Sequence, residues 1–277
     1  MRIRIRHETI YRYVAPAKSA IQYLRLTPRN FAGQHIAHWR IDVDQDCRLH
    51  QSEDAFGNIT HRFTADGPLT SISTVVDGDV TTFDTAGVAS GAVERLPVAL
   101  YLRETALTTP NAEIIDFARA ITAKAQTGLD RAHLLLAALH DTMIFDEDAT
   151  HATTTAAHAF AQKRGVCQDF AHLFIACARG LGAPARYVSG YYLRSDTDQQ
   201  VAGHAWAEVF IEDLGWVGFD PAHGVSPGAQ HVRLAIALDY LGAAPIRGAR
   251  VGGDGETMEV RVRVAPSAML REQNQSQ

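Results

Sequence analysis

Up to about residue 95, apolar and polar positions alternate with period two. Arg2 to Arg6, Ile21-Gln22-Tyr23-Leu24-Arg25-Leu26 and Ile59-Thr60-His61-Arg62-Phe63 are such runs, separated by turn signals such as Phe56-Gly57-Asn58. Successive side chains of a strand point to opposite faces, so the pattern predicts a β-sandwich-like amino-terminal domain over residues 1–92. Gly87 to Ala92 is small and poor in large apolar side chains, and reads as the connection to a second unit over residues 93–270.

Beyond that connection the period becomes helical. Ile114, Ala118, Ile121 and Ala125 form one apolar stripe, and Leu135, Ala138, Leu139 and Met143 form another, with Asp130 as the expected N-cap. A shorter helix is expected from Thr155 to Arg164, ending at Gly165. Phe170, Leu173, Phe174, Cys177 and Leu181 then recur at helical spacing until Gly182 and Pro184 stop the run, which makes this a central core helix with Cys167 in its first turn. Strands follow at Arg186 to Leu193, Ala205 to Ile211 and Trp216 to Asp220, the last two as a hairpin, and a late strand at Met258 to Val264. The second unit is therefore expected to be α+β, with helices packed on an antiparallel sheet, and residues 271–277 to be a polar tail.

Composition narrows the classes of function. A chain of 277 residues can bury a full core without staples, and three cysteines, Cys47, Cys167 and Cys177, are too few and odd in number for a disulfide framework. The net charge is only -5 and the basic residues are scattered, so no nucleic-acid footprint is present. The alternating start Met1-Arg2-Ile3-Arg4-Ile5-Arg6 lacks the continuous apolar core of a secretory signal, and no run is long enough for a spanning helix. A cytoplasmic location without membrane attachment is the expectation.

Three residues carry candidate chemistry. A helix N-terminus and a neighbouring imidazolium favour the thiolate over the thiol, and Cys167, after Gly165-Val166, stands at such a start. Alternation places His204, Trp206, Glu208 and Phe210 on one strand face, so His204 shares its side with an aromatic that could exclude water. Asp220 ends the next strand, where a carboxylate could hold one imidazole nitrogen and fix its tautomer. His204 and Asp220 share a face if the hairpin loop has an odd residue count or a bulge resets the parity. Cys47, in the polar run Asp44-Gln45-Asp46-Cys47-Arg48, has no base near it and Cys177 belongs to the core. His151 with His158, or Cys167 with His172, lack the spacing of a CxxC or HExxH site, so no metal and no cofactor are expected.

Four blocks carry a family resemblance. Arg164-Gly165-Val166-Cys167-Gln168-Asp169-Phe170-Ala171-His172-Leu173, Ala185-Arg186-Tyr187-Val188-Ser189-Gly190-Tyr191, Gly203-His204-Ala205-Trp206-Ala207-Glu208-Val209 and Gly215-Trp216-Val217-Gly218-Phe219-Asp220-Pro221 resemble the bacterial transglutaminase-like cysteine peptidase family. The start is similar to that family's amino-terminal domain, through Arg6-His7-Glu8-Thr9 and Gln22-Tyr23-Leu24-Arg25-Leu26-Thr27-Pro28-Arg29. The resemblance implies a papain-related catalytic domain whose Cys-His-Asp triad is Cys167, His204 and Asp220, with a thioester as acyl-enzyme. The first-turn N–H of Cys167 would be an oxyanion donor. Where the family commonly has Gly-Arg-Asp-Tyr, this chain has Ala237-Leu238-Asp239-Tyr240; if that region edges the cleft, the missing arginine would change which substrate charge is welcome.

Three functions are compatible with these residues: an amidase or peptidase, a transglutaminase-type acyl transferase that joins an amine to the thioester, and a non-catalytic peptide-binding module. Hydrolysis of a peptide, protein or small amide is favoured, because a transferase working in water must shield its thioester and no insertion marks a lid.

Overall fold

In the computed structural model, residues 1–267 are described. The period-two run folds into two long strands, β1 (Arg2–Thr27) and, after β2 (Gln34–Val43) and β3 (His50–Glu53), β4 (Ile59–Thr82). β1 and β4 pair antiparallel along their length, with register shifts between Arg12 and Ala17 and between Ala17 and Ser19. Such irregularities bend a strand. β2 pairs with the later part of β4 and β3 with its beginning, so each end of the long pair has its own outer strand. Ile3, Ile5, Leu24, Leu26, Phe63 and Val76 all bury into one apolar cluster shared by both ends, which gives the sandwich-like wrap expected from the alternation.

α1 (Ala112–Thr122) is capped by Asn111, whose side chain accepts the Ile114 N–H. Its buried face is Ile114, Ala118 and Thr122; the helix ends before Ala125, so the expected stripe stops one turn early. α2 (Gly128–Thr142) starts before Asp130. Thr127 is its N-cap, accepting the Asp130 N–H at 3.0 Å while the Asp130 carboxylate accepts the Thr127 N–H at 3.0 Å. The acid expected as the cap is thus the reciprocal partner of a capping box. β5 (Ile144–Phe145) pairs in parallel with β6 (Arg164–Gly165), and α3 (Ala156–Gln162) lies between them. α3 stops at Lys163, in the left-handed region at φ 54. α4 (Cys167–Gly180) is buried around most of its circumference, as befits a helix at the centre of a core.

The second sheet is antiparallel. β7 (Ala185–Tyr192) is followed by the short β8 (Gln199–Gln200), then by β9 (His204–Ile211), β10 (Gly215–Phe219) and β11 (His231–Ala237), in the spatial order β10-β9-β7-β11. α4 covers one face, where Phe170 and Phe174 share a cluster with Ala205, Ala207 and Val209. On the opposite face Glu208 accepts from Arg186 Nε and Arg233 Nε, each at 2.7 Å, and Arg186 also reaches Glu94, just past the connection.

After α5 (Tyr240–Ala243) the chain returns to the first sheet. β12 (Ile246–Gly252) pairs with the second half of β1 and β13 (Glu256–Pro266) with the first half. The division at residue 92 assigned these strands to the second unit; instead they complete a seven-stranded sheet, because the edge of β1 away from β4 needs partners. The helices and the second sheet are therefore inserted between strands of the first. The polar tail 271–277 lies outside the described residues. Among the described residues no helix is long and apolar enough to cross a membrane.

Candidate active site

The position of Cys167 is built by its neighbours. The buried Asp169 carboxylate accepts the Val166 N–H at 2.9 Å and the Thr150 hydroxyl at 2.6 Å, tying down the first turn of α4. Gly165 makes this possible, since a Cβ there would fall 2.6 Å from Asp169 Oδ2. Cys167 is the half-buried first residue of the helix, where N–H groups have no intrahelical acceptor.

The β9–β10 hairpin solves the parity question. Ile211 pairs with Gly215, leaving the three-residue loop Glu212, Asp213 and Leu214, an odd count. Gly218 then faces Glu208 and Phe219 faces Ala207, so Asp220 emerges on the face that carries His204. His204 Nε2 lies 2.7 Å from Asp220 Oδ2, with both groups buried. Burial alone would lower the imidazole's pKa, but the charge and hydrogen bond of Asp220, followed by Cys167, outweigh it and raise His204 to about 10. Asp220 is held well below the usual carboxylate range: burial opposes this, and His204 and two further imidazoles overcome it. With Nε2 engaged by Asp220, Nδ1 is the nitrogen left for Cys167. The sequence-predicted trio is thus brought together by the first turn of α4 and the two hairpin strands.

Known proteins resemble the chain over this region and beyond it. Residues 115–221 match the family model of the transglutaminase-like superfamily, and residues 3–81 match that of the bacterial transglutaminase-like N-terminal region. The chain belongs to the transglutaminase-like superfamily. An uncharacterized protein of Mycobacterium leprae is 28% identical over 279 residues, covering 95% of this chain and 98% of that protein. A protein-glutamine gamma-glutamyltransferase of Pseudomonas aeruginosa is 32% identical over 108 residues, which are 34% of this chain and 16% of that protein. The crystal structure of a candidate cysteine protease from Cytophaga hutchinsonii shares the fold with a TM-score of 0.78 at 20% identity, covering 96% of this chain and 91% of that one.

Around this transglutaminase-like centre stand residues that the sequence reading missed. His223 Nδ1 and His231 Nε2 approach the same Asp220 Oδ2, at 2.8 and 3.1 Å. The Tyr192 ring lies against all three imidazoles, with centroid distances of 4.1 Å to His223, 4.7 Å to His231 and 5.5 Å to His204. Trp206, on the His204 face as expected, is buried and meets His231 edge-on at 5.3 Å. Gly190 leaves room for it: a Cβ at that position would meet the Trp206 ring at 2.6 Å and the Val232 carbonyl at 2.3 Å.

The other candidates fall away from the centre. Cys177 is in the core and burial pushes its thiol up to about 12. His172 is neutral, lowered to about 4 by burial, and its Nε2 accepts the Tyr240 N–H, so it does not pair with Cys167. Ligand atoms of His204, Asp220 and His231 lie within 4.8 Å of one another, yet a cation there would take the nitrogen that His204 directs at Asp220. Tyr240 does edge the cleft, whereas Leu238 packs with Tyr101 and Trp216. The position where the family commonly has arginine is therefore directed at a core cluster rather than at substrate.

Proposed function

We propose that the protein is a thiol-dependent hydrolase of amide or peptide bonds, acting through Cys167, His204 and Asp220. The observation that carries this reading is the 2.7 Å contact of His204 Nε2 with buried Asp220, in a cleft that His204 shares with the helix-opening Cys167. Cys167 Sγ attacks the carbonyl carbon, and the first-turn N–H of Cys167 stabilises the oxyanion. The C–N bond then breaks as His204 gives its proton to the leaving amine, and a thioester remains. Water, deprotonated by His204, attacks the thioester; the acid departs and the Cys167–His204 pair is restored. Asp220 holds the ring and its positive charge throughout.

Transfer to an amine would use the same thioester, and the similarity to a gamma-glutamyltransferase over 108 residues supports it as the second reading. Hydrolysis is preferred because Cys167 is only half-buried, which leaves its acyl group open to water. Three free cysteines favour a reducing compartment, the cytoplasm. Mass spectrometry of products from a peptide library, with and without a primary amine, tests the function. Free acid as the main product is expected; amide dominating at millimolar amine would exchange hydrolase for transferase, and no product at all would leave a binding module.

A further inference from the structure

The first sheet is part of the reactive cleft. A cavity of about 260 Å³ opens on Cys167 and His204. One wall is from the second sheet and its neighbours, including Tyr187, Ser189 and Tyr240; the other is His7, Thr9 and Tyr11 of β1 with Met258 and Val260 of β13. None of its described lining residues is Asp, Glu, Lys or Arg. The most polar group of the far wall is spoken for: His7 Nδ1 lies 2.9 Å from the Tyr191 hydroxyl and Nε2 lies 2.9 Å from Thr9 Oγ1. Burial lowers His7 to about 4, so this imidazole is neutral at physiological pH. Burial likewise raises Tyr11, to about 12, and Tyr187 and Tyr240, leaving those phenols uncharged.

After the amine departs, the acyl part of a substrate stays attached to Sγ, and the cavity opening on Cys167 is the space available to it. A charged side chain there would lose its water and find no Asp, Glu, Lys or Arg to answer it, the His204 imidazolium being already paired with Asp220, whereas an apolar one gains by leaving water. We propose that β1 and β13 of the first sheet form the specificity wall of the acyl site, which selects substrates whose acyl-side residue is uncharged and apolar or aromatic. This rests on the proposed thioester chemistry. It gives the amino-terminal sheet a direct part in substrate choice and explains why β13 must return across β1: without it the cleft lacks Met258 and Val260.

The test is acylation of the whole protein by N-acetyl amino-acid thioesters that differ only in side chain, with acetyl thioester as reference, followed by intact-mass spectrometry and peptide mapping. Norleucine and phenylalanine donors should label Cys167 at least tenfold faster than glutamate and lysine donors, each rate taken relative to acetyl. Met258 is 60% exposed, so Met258→Glu can be made without disturbing the core. In that variant the lysine donor should gain at least threefold on norleucine and the glutamate donor should fall further behind. Equal rates for all side chains, or a lysine-to-norleucine rate ratio unchanged in Met258→Glu, overturn the pocket while leaving the thioester chemistry standing. Failure of every donor, acetyl included, to label Cys167 overturns both.

Discussion

His231 Nε2 lies 3.1 Å from Asp220 Oδ2, while the Gly228 N–H donates to the other ring nitrogen at 3.2 Å. Because Nδ1 accepts, Nε2 carries the proton and must donate, so the tautomer of His231 is determined by its surroundings. Burial lowers the pKa of His231, which keeps it a neutral donor to a charged acceptor. In the proposed mechanism it would act through Asp220 as a positioning residue. His231→Phe should lower kcat about tenfold, the loss of roughly 1.4 kcal/mol from one charge-assisted hydrogen bond. It should also move the acid limb of kcat/KM to higher pH, because Asp220 loses a donor that favours its ionised form. His231→Gln, which retains an N–H donor, should recover part of both. An unchanged acid limb in His231→Phe would reduce the residue to packing.

The second prediction concerns pH. His204 is raised from an ordinary 6.5 to about 10: burial works against the imidazolium, and Asp220 and then Cys167 more than reverse it. A raised base stabilises the folded state fully below its unfolded pKa, and that contribution is lost as pH climbs through about 10. In the proposed mechanism His204 gives its proton to the leaving amine, and that proton disappears over the same range, so activity should have an alkaline limb near there. Asp220→Asn removes the charge that raises the group. Its limb should shift to lower pH, and kcat should fall roughly 10²- to 10⁴-fold without reaching zero. Identical alkaline limbs in the two proteins would detach Asp220 from His204.

How much of this was legible depends on whether a contact is local. Cys167 at a helix start, Gly165 before it and Asp169 after it lie within one turn, and the helical spacing that follows them makes the element plain. The hairpin could be narrowed to a parity condition, because side chains on a strand have period two and the loop is short. His223 was within reach, three residues after Asp220 in a turn where its N–H donates to the Asp220 carbonyl. His231 was not. It opens β11, and only the pairing of His231 with Tyr192 across β7 brings it to Asp220. The same limit hid the return of β13 to β1 and the shared cleft, since an alternating strand specifies a buried face but not its partner.

A third prediction tests the support beneath the site. Glu208 sits two positions beyond Trp206 on the His204 face and is fully buried with Arg186, whose guanidinium also lies 3.9 Å above the Trp216 ring. Burial would raise the Glu208 carboxyl, but the charges of Arg233 and Arg186 hold it down at about 2. A depressed carboxylate stabilises the fold above its ordinary value and loses this contribution as pH falls through about 2. Glu208→Ala leaves the Arg186 charge buried with only Glu94 to answer it, which should cost about 3–5 kcal/mol at neutral pH in urea unfolding. A loss below about 1 kcal/mol would mean that the network is dispensable.

The last prediction concerns which thiol reacts. The chain offers three free cysteines in different surroundings. Cys177 is fully buried in α4, where burial pushes its thiol up to about 12, so neither access nor charge favours attack. Cys47 is accessible, but burial, reinforced by the negative charges of Asp46 and Asp44, raises its pKa and disfavours its thiolate. Cys167 opens a helix and faces a His204 that remains protonated to about pH 10, a neighbour that stabilises a thiolate by its charge. Brief treatment with iodoacetamide at mildly acidic pH should therefore carbamidomethylate Cys167 first, with Cys47 at least tenfold slower and Cys177 reacting only on unfolding. Peptide mapping reads the three sites together. In Asp220→Asn the advantage of Cys167 should shrink, because the imidazolium beside it is less favoured. Preferential labelling of Cys47 in the unaltered protein would remove the case for an activated nucleophile at Cys167.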